Sequence, residues 1–495
     1  MKQLAGQTAI YGLSSILGRM INFLLVPLQT AVLSQSEYGV NVDFYSLIAF
    51  LIVICTFGME TAYFRFSEKE GWDERKVFGT SITMILVVLG ALGVLTYFSQ
   101  NTLLGALRYE DTPEYLGYLF AILALDALAA IPFARLRRQN KAVRFAGIKL
   151  ALIFSNVLVN LYFFLPALWE LNEATPWFTH ELRGVQYIFI ANLWASILMF
   201  VLLLPTFRGF KFSLERKYTK GLLAFGIPLL IGGLAGIANE MLDRQLLKYL
   251  LPQDSWAQGV GIYGAVYKIS IFLVLFNQAF RYAAEPFFFK NANLGDGKEK
   301  MAKVMEGFAW VMCVGFVLII AGLDYLKFFI DEKFWVGLHL VPILLLANVI
   351  LGINTNLNMW YKVSDKTTYG IYITFVGLFF TVVGNVALIP QMGILGAAIT
   401  TLIAYTAMFF ASLILGNRNY KVPYNWSKIG GLVVVSSGLA FALHYFPLSD
   451  VSLKIGLGLT YLFVMFMVER NGLFKFVFKN ENPSNLQRQA GPSSI

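Results

Sequence analysis

Charge is scarce in this chain. Only 14% of its 495 residues are Asp, Glu, Lys or Arg, where soluble domains carry about a quarter, and that deficit argues against a soluble enzyme. Cysteine is scarcer still. Cys55 and Cys313 both stand inside apolar runs, so neither a disulfide framework nor a paired-cysteine metal site is available. The three histidines, His180, His339 and His444, lie in or beside loops or near a helix end, and no His/Cys/Asp group has metal-ligand spacing. No catalytic triad, P-loop or dinucleotide fingerprint occurs in a strand-to-helix setting. The sequence therefore offers no catalytic residue, no metal site and no cofactor.

What is abundant is apolar surface, at 57% of residues, in runs of 17 to 30 that recur from one end to the other. Each is long enough to cross ~30 Å of hydrocarbon. The runs are continuous rather than alternating, which points to helices and not to barrel strands. We expect an all-α membrane protein of about 14 transmembrane helices. The spans fall near 9–33, 39–64, 80–98, 115–134, 150–168, 186–206 and 222–250 in the first half. They continue near 259–288, 307–323, 336–361, 369–389, 393–415, 429–447 and 452–468. The N-terminus lacks a short apolar segment and cleavage site, so it reads as a retained first span.

The net charge of +10 would suggest nucleic acid in a soluble chain, yet here the cations sit in short loops. With the N-terminus inside, 29 Lys and Arg fall on the inner side, 5 on the outer, and 5 within spans. The positive-inside rule then places both termini in the cytoplasm. No nucleic-acid partner is called for.

A weak repeat pairs Tyr38-Gly39, opening the second span, with Gly261-Ile262-Tyr263-Gly264, opening the eighth. The unit is six spans, so the copies share orientation about an axis along the membrane normal, a transporter architecture with its site near the repeat interface. This predicts an N-terminal lobe over 1–210, a C-terminal lobe over 211–416, two extra helices over 417–478 and a disordered cytoplasmic tail over 479–495.

Ionisable residues at mid-membrane cost ~3 kcal/mol each unless paired or wetted, so their positions carry the most information. Eleven lie within spans: Arg19, Asp43, Glu60, Asp126, Glu240, Asp243, Arg244, Lys248, Lys268, Arg281 and Glu285. Ten of them are in spans 1, 2, 7 and 8, the first two of each repeat. Arg19, Arg244, Lys268 and Arg281 form a ladder of cations suited to a multiply anionic group such as a diphosphate. Asp43, Glu60, Glu240, Asp243 and Glu285 would pair with these cations in the empty site, or couple transport to protons or sodium. Purely structural ion pairs are the competing explanation, for example Arg281 with Glu285 one turn on, or Glu60 and Asp43 with Arg19 or Arg65. Gly226 to Gly236 in span 7, with Pro228, reads as a kink and a close-packing surface rather than a ligand loop.

At this point the residues carry a resemblance. The 14-span layout with charges in spans 1, 2, 7 and 8 resembles the multidrug/oligosaccharidyl-lipid/polysaccharide exporter superfamily, in particular its polysaccharide-flippase (Wzx-like) branch. The similar stretches are Asn22-Phe23-Leu24-Leu25-Val26-Pro27-Leu28, Glu37-Tyr38-Gly39, Asp243-Arg244 with Leu247, Gly261-Ile262-Tyr263 with Tyr267-Lys268, and Ala283-Ala284-Glu285-Pro286-Phe287. The resemblance implies a MATE-like, two-lobed alternating-access flippase in the bacterial inner membrane. Its substrate would be an undecaprenyl-diphosphate-linked oligosaccharide, a polysaccharide or lipopolysaccharide precursor, with proton or sodium coupling and a monomer sufficient. Arg19, Arg244, Lys268 and Arg281 would be its cavity cations. A peptidoglycan lipid-precursor flippase and a cation-coupled drug or metabolite exporter are the alternatives. An enzyme acting on the same lipid would need a sizeable outer loop, and the longest, near 169–185, holds few candidate groups.

Overall fold

A computed structural model describes residues 20–21, 23–168, 184–292, 294–446 and 450–469. The first part of the first span, with Arg19, lies outside the described residues, as do most of the loop at 169–185 and the whole tail from 479. A short helix α1 (Val26–Val32) is followed by thirteen helices long and apolar enough to cross a membrane. These are α2 (Gln35–Ser67), α3 (Glu74–Phe98), α4 (Glu114–Arg138), α5 (Ala142–Leu165), α6 (Gln186–Phe207), α7 (Arg216–Leu250) and α8 (Trp256–Asn291). The rest are α9 (Gly297–Ala321), α10 (Glu332–Val363), α11 (Thr368–Met392), α12 (Ile394–Asn419), α13 (Trp426–Tyr445) and α14 (Val451–Glu469). No strand occurs among the described residues. The protein is an all-α multi-pass membrane protein.

Helix ends run past the hydropathy boundaries where polar residues continue the helix. α9 begins at Gly297 rather than near 307, because Lys298 to Glu306 are charged yet helical, with Lys300 paired to Asp296 at 2.8 Å. α2 starts at a capping box in which Ser34 Oγ accepts from the Glu37 amide and Glu37 accepts from the Ser34 amide at 2.8 Å. It is interrupted at Phe57 (φ 30°) and Gly58 (φ 73°), both left-handed, before resuming at Met59. Glycine suits that second position because a Cβ there would stand 2.8 Å from Leu229 Cβ and 3.0 Å from the Gly226 carbonyl. The glycines of α7 thus pack against the break in α2, and α7 runs through Pro228 as one helix.

The chain divides into two compact units. The first comprises Met1–Lys268, Phe329–Leu338 and Ile371–Ala404. Its main core brings Cys55, Met59 and Tyr63 of α2 onto Phe78 and Ile82 of α3, Leu123 and Ile131 of α4, and Leu222 of α7. A second cluster joins Phe133 of α4, Phe145 of α5 and Met199 of α6. The start of α8 lies against the start of α2 with backbone on backbone: a Cβ on Gly39 would strike the Ala257 carbonyl, and one on Gly261 the Gln35 carbonyl. Such approach is how membrane helices gain dispersion energy without a hydrophobic driving force. The repeat glycines are therefore a helix-crossing device.

The second unit comprises Ile269–Phe328, His339–Gly370 and Tyr405–Ile495. Here α13 and α14 pack on α9. Lys428 of α13 is held between Glu306 of α9 at 3.0 Å and Glu469 of α14 at 2.7 Å, and Trp310 Nε1 donates to the Met465 carbonyl at 3.3 Å. Ser436 and Tyr461 hydroxyls meet at 2.6 Å between α13 and α14.

Backbone contacts cannot move aside as side chains do. Gly261→Val should lower stability by about 1–3 kcal/mol through overpacking, whereas Gly438→Ala, with nothing within 4 Å of its added carbon, should be near neutral. Thermal unfolding of the two purified variants in detergent makes the comparison, and an unchanged melting temperature for Gly261→Val would show that the crossing tolerates bulk.

Candidate functional site

In the first unit the capping box at Ser34 sets where α2 begins, and so puts Asp43 eight residues, about 12 Å, along the helix. Asp43 is fully buried. An isolated carboxylate could not remain ionised there, so each oxygen is met by a donor. Lys248 Nζ, on α7 and also fully buried, reaches Oδ2 at 2.5 Å; Tyr109 Oη donates to the same oxygen at 2.6 Å; Gln245 Nε2 donates to Oδ1 at 2.8 Å. The ammonium lies over the rings of Tyr109 at 4.4 Å and Trp256 at 4.8 Å. Tyr109 sits in the loop between α3 and α4, where burial first and then the Asp43 charge hold its phenol well above its ordinary pKa, so it remains a donor. Arg108, beside it in the left-handed conformation, donates to the Lys248 carbonyl at 2.7 Å. Three separate elements are thus tied to one carboxylate.

One turn deeper on α7, Asp243 and Arg244 form the second buried pair at 2.8 Å. Tyr263 of α8 donates to Asp243 Oδ2 at 2.6 Å, while Arg244 donates to the Glu240 carbonyl at 2.6 Å and lies 4.6 Å from the Tyr267 ring. Glu240 itself is exposed, without an ion-pair partner among the described residues. Lys268, half-buried twelve residues along α8, stands close enough to Arg244 to feel its charge and has no carboxylate at ion-pair distance among the described residues. Glu240, Asp243, Arg244 and Lys268 therefore make one polar cluster in which acids and bases balance, with Lys268 the cation that has no carboxylate at ion-pair distance among the described residues. An arrangement of this kind can accept an anion by adding to Lys268 and exchanging part of the Arg244–Asp243 pairing.

Glu60 and Asp126, of the same unit, have partners outside this cluster. Glu60 pairs with Arg137 of α4 rather than with Arg65, which lies over Phe225 at 4.6 Å. In the second unit, Glu285 is held by Lys362 of α10 at 2.5 Å rather than by Arg281. Arg281 is exposed, 5.8 Å from the Tyr282 ring. Arg19 lies outside the described residues. Asp126, mid-way along α4, accepts from Ser196 of α6 at 2.9 Å.

Sequence reading missed Tyr109 and Gln245, and it noted Tyr263 and Tyr267 only as motif residues; their hydroxyl, amide and ring groups complete the network. A spacing signal existed. Tyr38 and Tyr263, Gly39 and Gly264, Asp43 and Lys268, and Arg19 and Arg244 are all separated by the same 225 positions. The two copies of the repeat thus carry charges of opposite sign at the Asp43 and Lys268 positions.

Removing one partner of the buried pair strands the other. Lys248→Met should cost roughly 3–5 kcal/mol, and Asp43→Asn added to it should recover most of the loss. A thermal double-mutant cycle on purified protein checks this; a double variant as unstable as the single would mean that Asp43 and Lys248 do not act as a pair.

Comparison with known proteins bears on what such a cluster serves. A family model described as polysaccharide biosynthesis protein matches residues 4–292. No curated protein matches the sequence. Among solved structures, the lipid II flippase MurJ in an inward closed conformation is similar at a TM-score of 0.71 and 16% identity, over 94% of this chain and 99% of that one. An inward-facing multidrug resistance MATE family transporter of the MOP superfamily is similar at 0.55 and 14% identity, over 84% and 95%. The Vibrio cholerae MATE transporter VcmN in its bent form follows at 0.53 and 13%, over 88% and 98%. At these identities the likeness is one of fold. With more than half its length matched by a single family model, the chain belongs to the polysaccharide biosynthesis protein family.

Proposed function

We propose that this protein flips an undecaprenyl-diphosphate-linked oligosaccharide, a polysaccharide or lipopolysaccharide precursor, from the cytoplasmic to the periplasmic leaflet of the bacterial inner membrane by alternating access. Membership of the polysaccharide biosynthesis family supports the cargo class, and the 29 to 5 bias of basic residues supports cytoplasmic termini. The observation that carries the reading is Lys268. A cation within a membrane helix, beside a second cation and with no carboxylate of its own, is costly unless an anion visits it. A lipid diphosphate supplies that anion, with Arg244 offering the planar donor fork. In this reading Arg19 and Arg281 would also serve as phosphate-binding cations, as the resemblance implies. Among the five acids, Asp43, Glu60, Asp243 and Glu285 each meet a cation. That leaves Glu240 as the carboxylate available to a coupling proton or sodium ion. The protein would act as a transporter, not an enzyme, and as a monomer.

A second reading follows from the likeness to the lipid II flippase: the cargo would be the peptidoglycan lipid precursor, whose head group is also a diphosphate-sugar. The same proteoliposome assay separates the two, by leaflet distribution of each labelled lipid. Wild type should move the oligosaccharide lipid, Lys268→Ala and Arg244→Ala should reduce that movement at least about tenfold, and Lys268→Arg should retain most of it. Movement of the peptidoglycan precursor alone would replace the cargo. Movement of neither lipid alongside transport of a cationic dye would replace the function with drug export.

A further inference from the structure

Where α4 ends, α5 begins and α6 closes, the first unit holds a cavity of about 170 Å³, room for roughly five waters at ~30 Å³ each. Four of its eight lining residues, Arg135, Lys141, Arg144 and Arg208, are cations and none is an acid. Three nearby acids are engaged by arginines: Glu60 by Arg137, Glu68 by Arg138, and Glu74 by the lining Arg135 at 3.2 Å. Arg135 is therefore already neutralised. Its guanidinium acts as a post, donating to the carbonyls of Thr206 at 2.7 Å and Arg208 at 3.3 Å and so joining the end of α4 to the turn after α6. Gly209, at φ +80°, reverses the chain directly after Arg208. Lys141, Arg144 and Arg208 remain, exposed and without a carboxylate at ion-pair distance among the described residues.

Orientation in the membrane accounts for cations in these loops, but it would be satisfied equally well by cations spread along them or paired with acids. It does not account for a concavity lined by no acid, whose rim is tied together by a half-buried arginine. Three uncompensated cations around a hollow at the ends of membrane helices match a phosphate group at headgroup level. We propose that this cavity is a binding site for a phosphate or diphosphate group presented at the membrane surface, separate from the Arg244–Lys268 cluster. Its source is a bulk anionic lipid or the diphosphate of a lipid-linked cargo, and the two share the recognition chemistry. Such a site would hold the headgroup at the rim whether or not the protein flips it.

The test reads binding and not transport, so it stands apart from the flippase assay. Purified full-length protein in an uncharged detergent is titrated calorimetrically with inorganic pyrophosphate and with farnesyl diphosphate. The combined variant Lys141→Gln, Arg144→Gln, Arg208→Gln should weaken binding about tenfold or more, and Arg144→Glu alone, an exposed single change, should weaken it in the same sense. Arg244→Ala with Lys268→Ala should leave this binding in place. Equal affinity for the two probes means that the phosphates alone are read; tighter farnesyl diphosphate, or displacement of pyrophosphate by added phosphatidylglycerol, assigns a lipid source. A combined variant that binds like wild type, or binding lost only in the Arg244/Lys268 variant, overturns the proposal.

Discussion

Everything distinctive in the first unit depends on one constraint: a charge inside an apolar bundle must be met by a partner. Asp43 shows the constraint at full strength. Its burial is tolerable because Lys248, Tyr109 and Gln245 converge on its two oxygens. Those groups come from α7 and from the loop after α3, so satisfying one carboxylate fixes three elements relative to one another. The close crossing of α2 and the start of α8 at Gly39 and Gly261 holds the same region from the other side.

The pairs are not equivalent in what they leave over. Asp43 and Lys248 are fully enclosed and saturated, the signature of a lock. Asp243 and Arg244 are nearly as buried, yet Lys268, within range of the Arg244 charge, has no carboxylate at ion-pair distance among the described residues. At the far end of α4 the pattern repeats in another form, where acids neutralise Arg135, Arg137 and Arg138 while Lys141, Arg144 and Arg208 have no carboxylate at ion-pair distance among the described residues. In both places a cation without a carboxylate at ion-pair distance lies near charges that are already paired. The paired charges rigidify the scaffold, while the cations without a carboxylate remain available.

In the second unit, α13 and α14, the helices beyond the expected repeat, are fastened to α9 by Lys428 between two carboxylates and by Trp310. Glu469 is almost fully buried at the end of α14, so the clamp closes in a low-dielectric setting. This gives the extra pair of helices a fixed seat within that unit.

Hydropathy alone determined the all-helical membrane fold, since a run of some twenty apolar residues has few ways to satisfy its backbone in hydrocarbon other than as a helix. The charge-bearing spans were legible for the same reason: a carboxylate or guanidinium in an apolar run announces itself in one dimension. Partner choice was not legible. Glu60 with Arg137, Glu285 with Lys362 and Asp43 with Lys248 join residues 77, 77 and 205 positions apart, and which cation meets which acid depends on helix rotation and crossing, set by packing of small residues such as Gly39 and Gly261. Neutral partners were hidden further, because Tyr109, Gln245 and Tyr263 look ordinary in sequence and acquire their role only when a buried charge lies within hydrogen-bond reach. Composition and periodicity decide that such charges must be paired in a membrane; only the three-dimensional contacts decide which of them are consumed in pairing and which are left to bind.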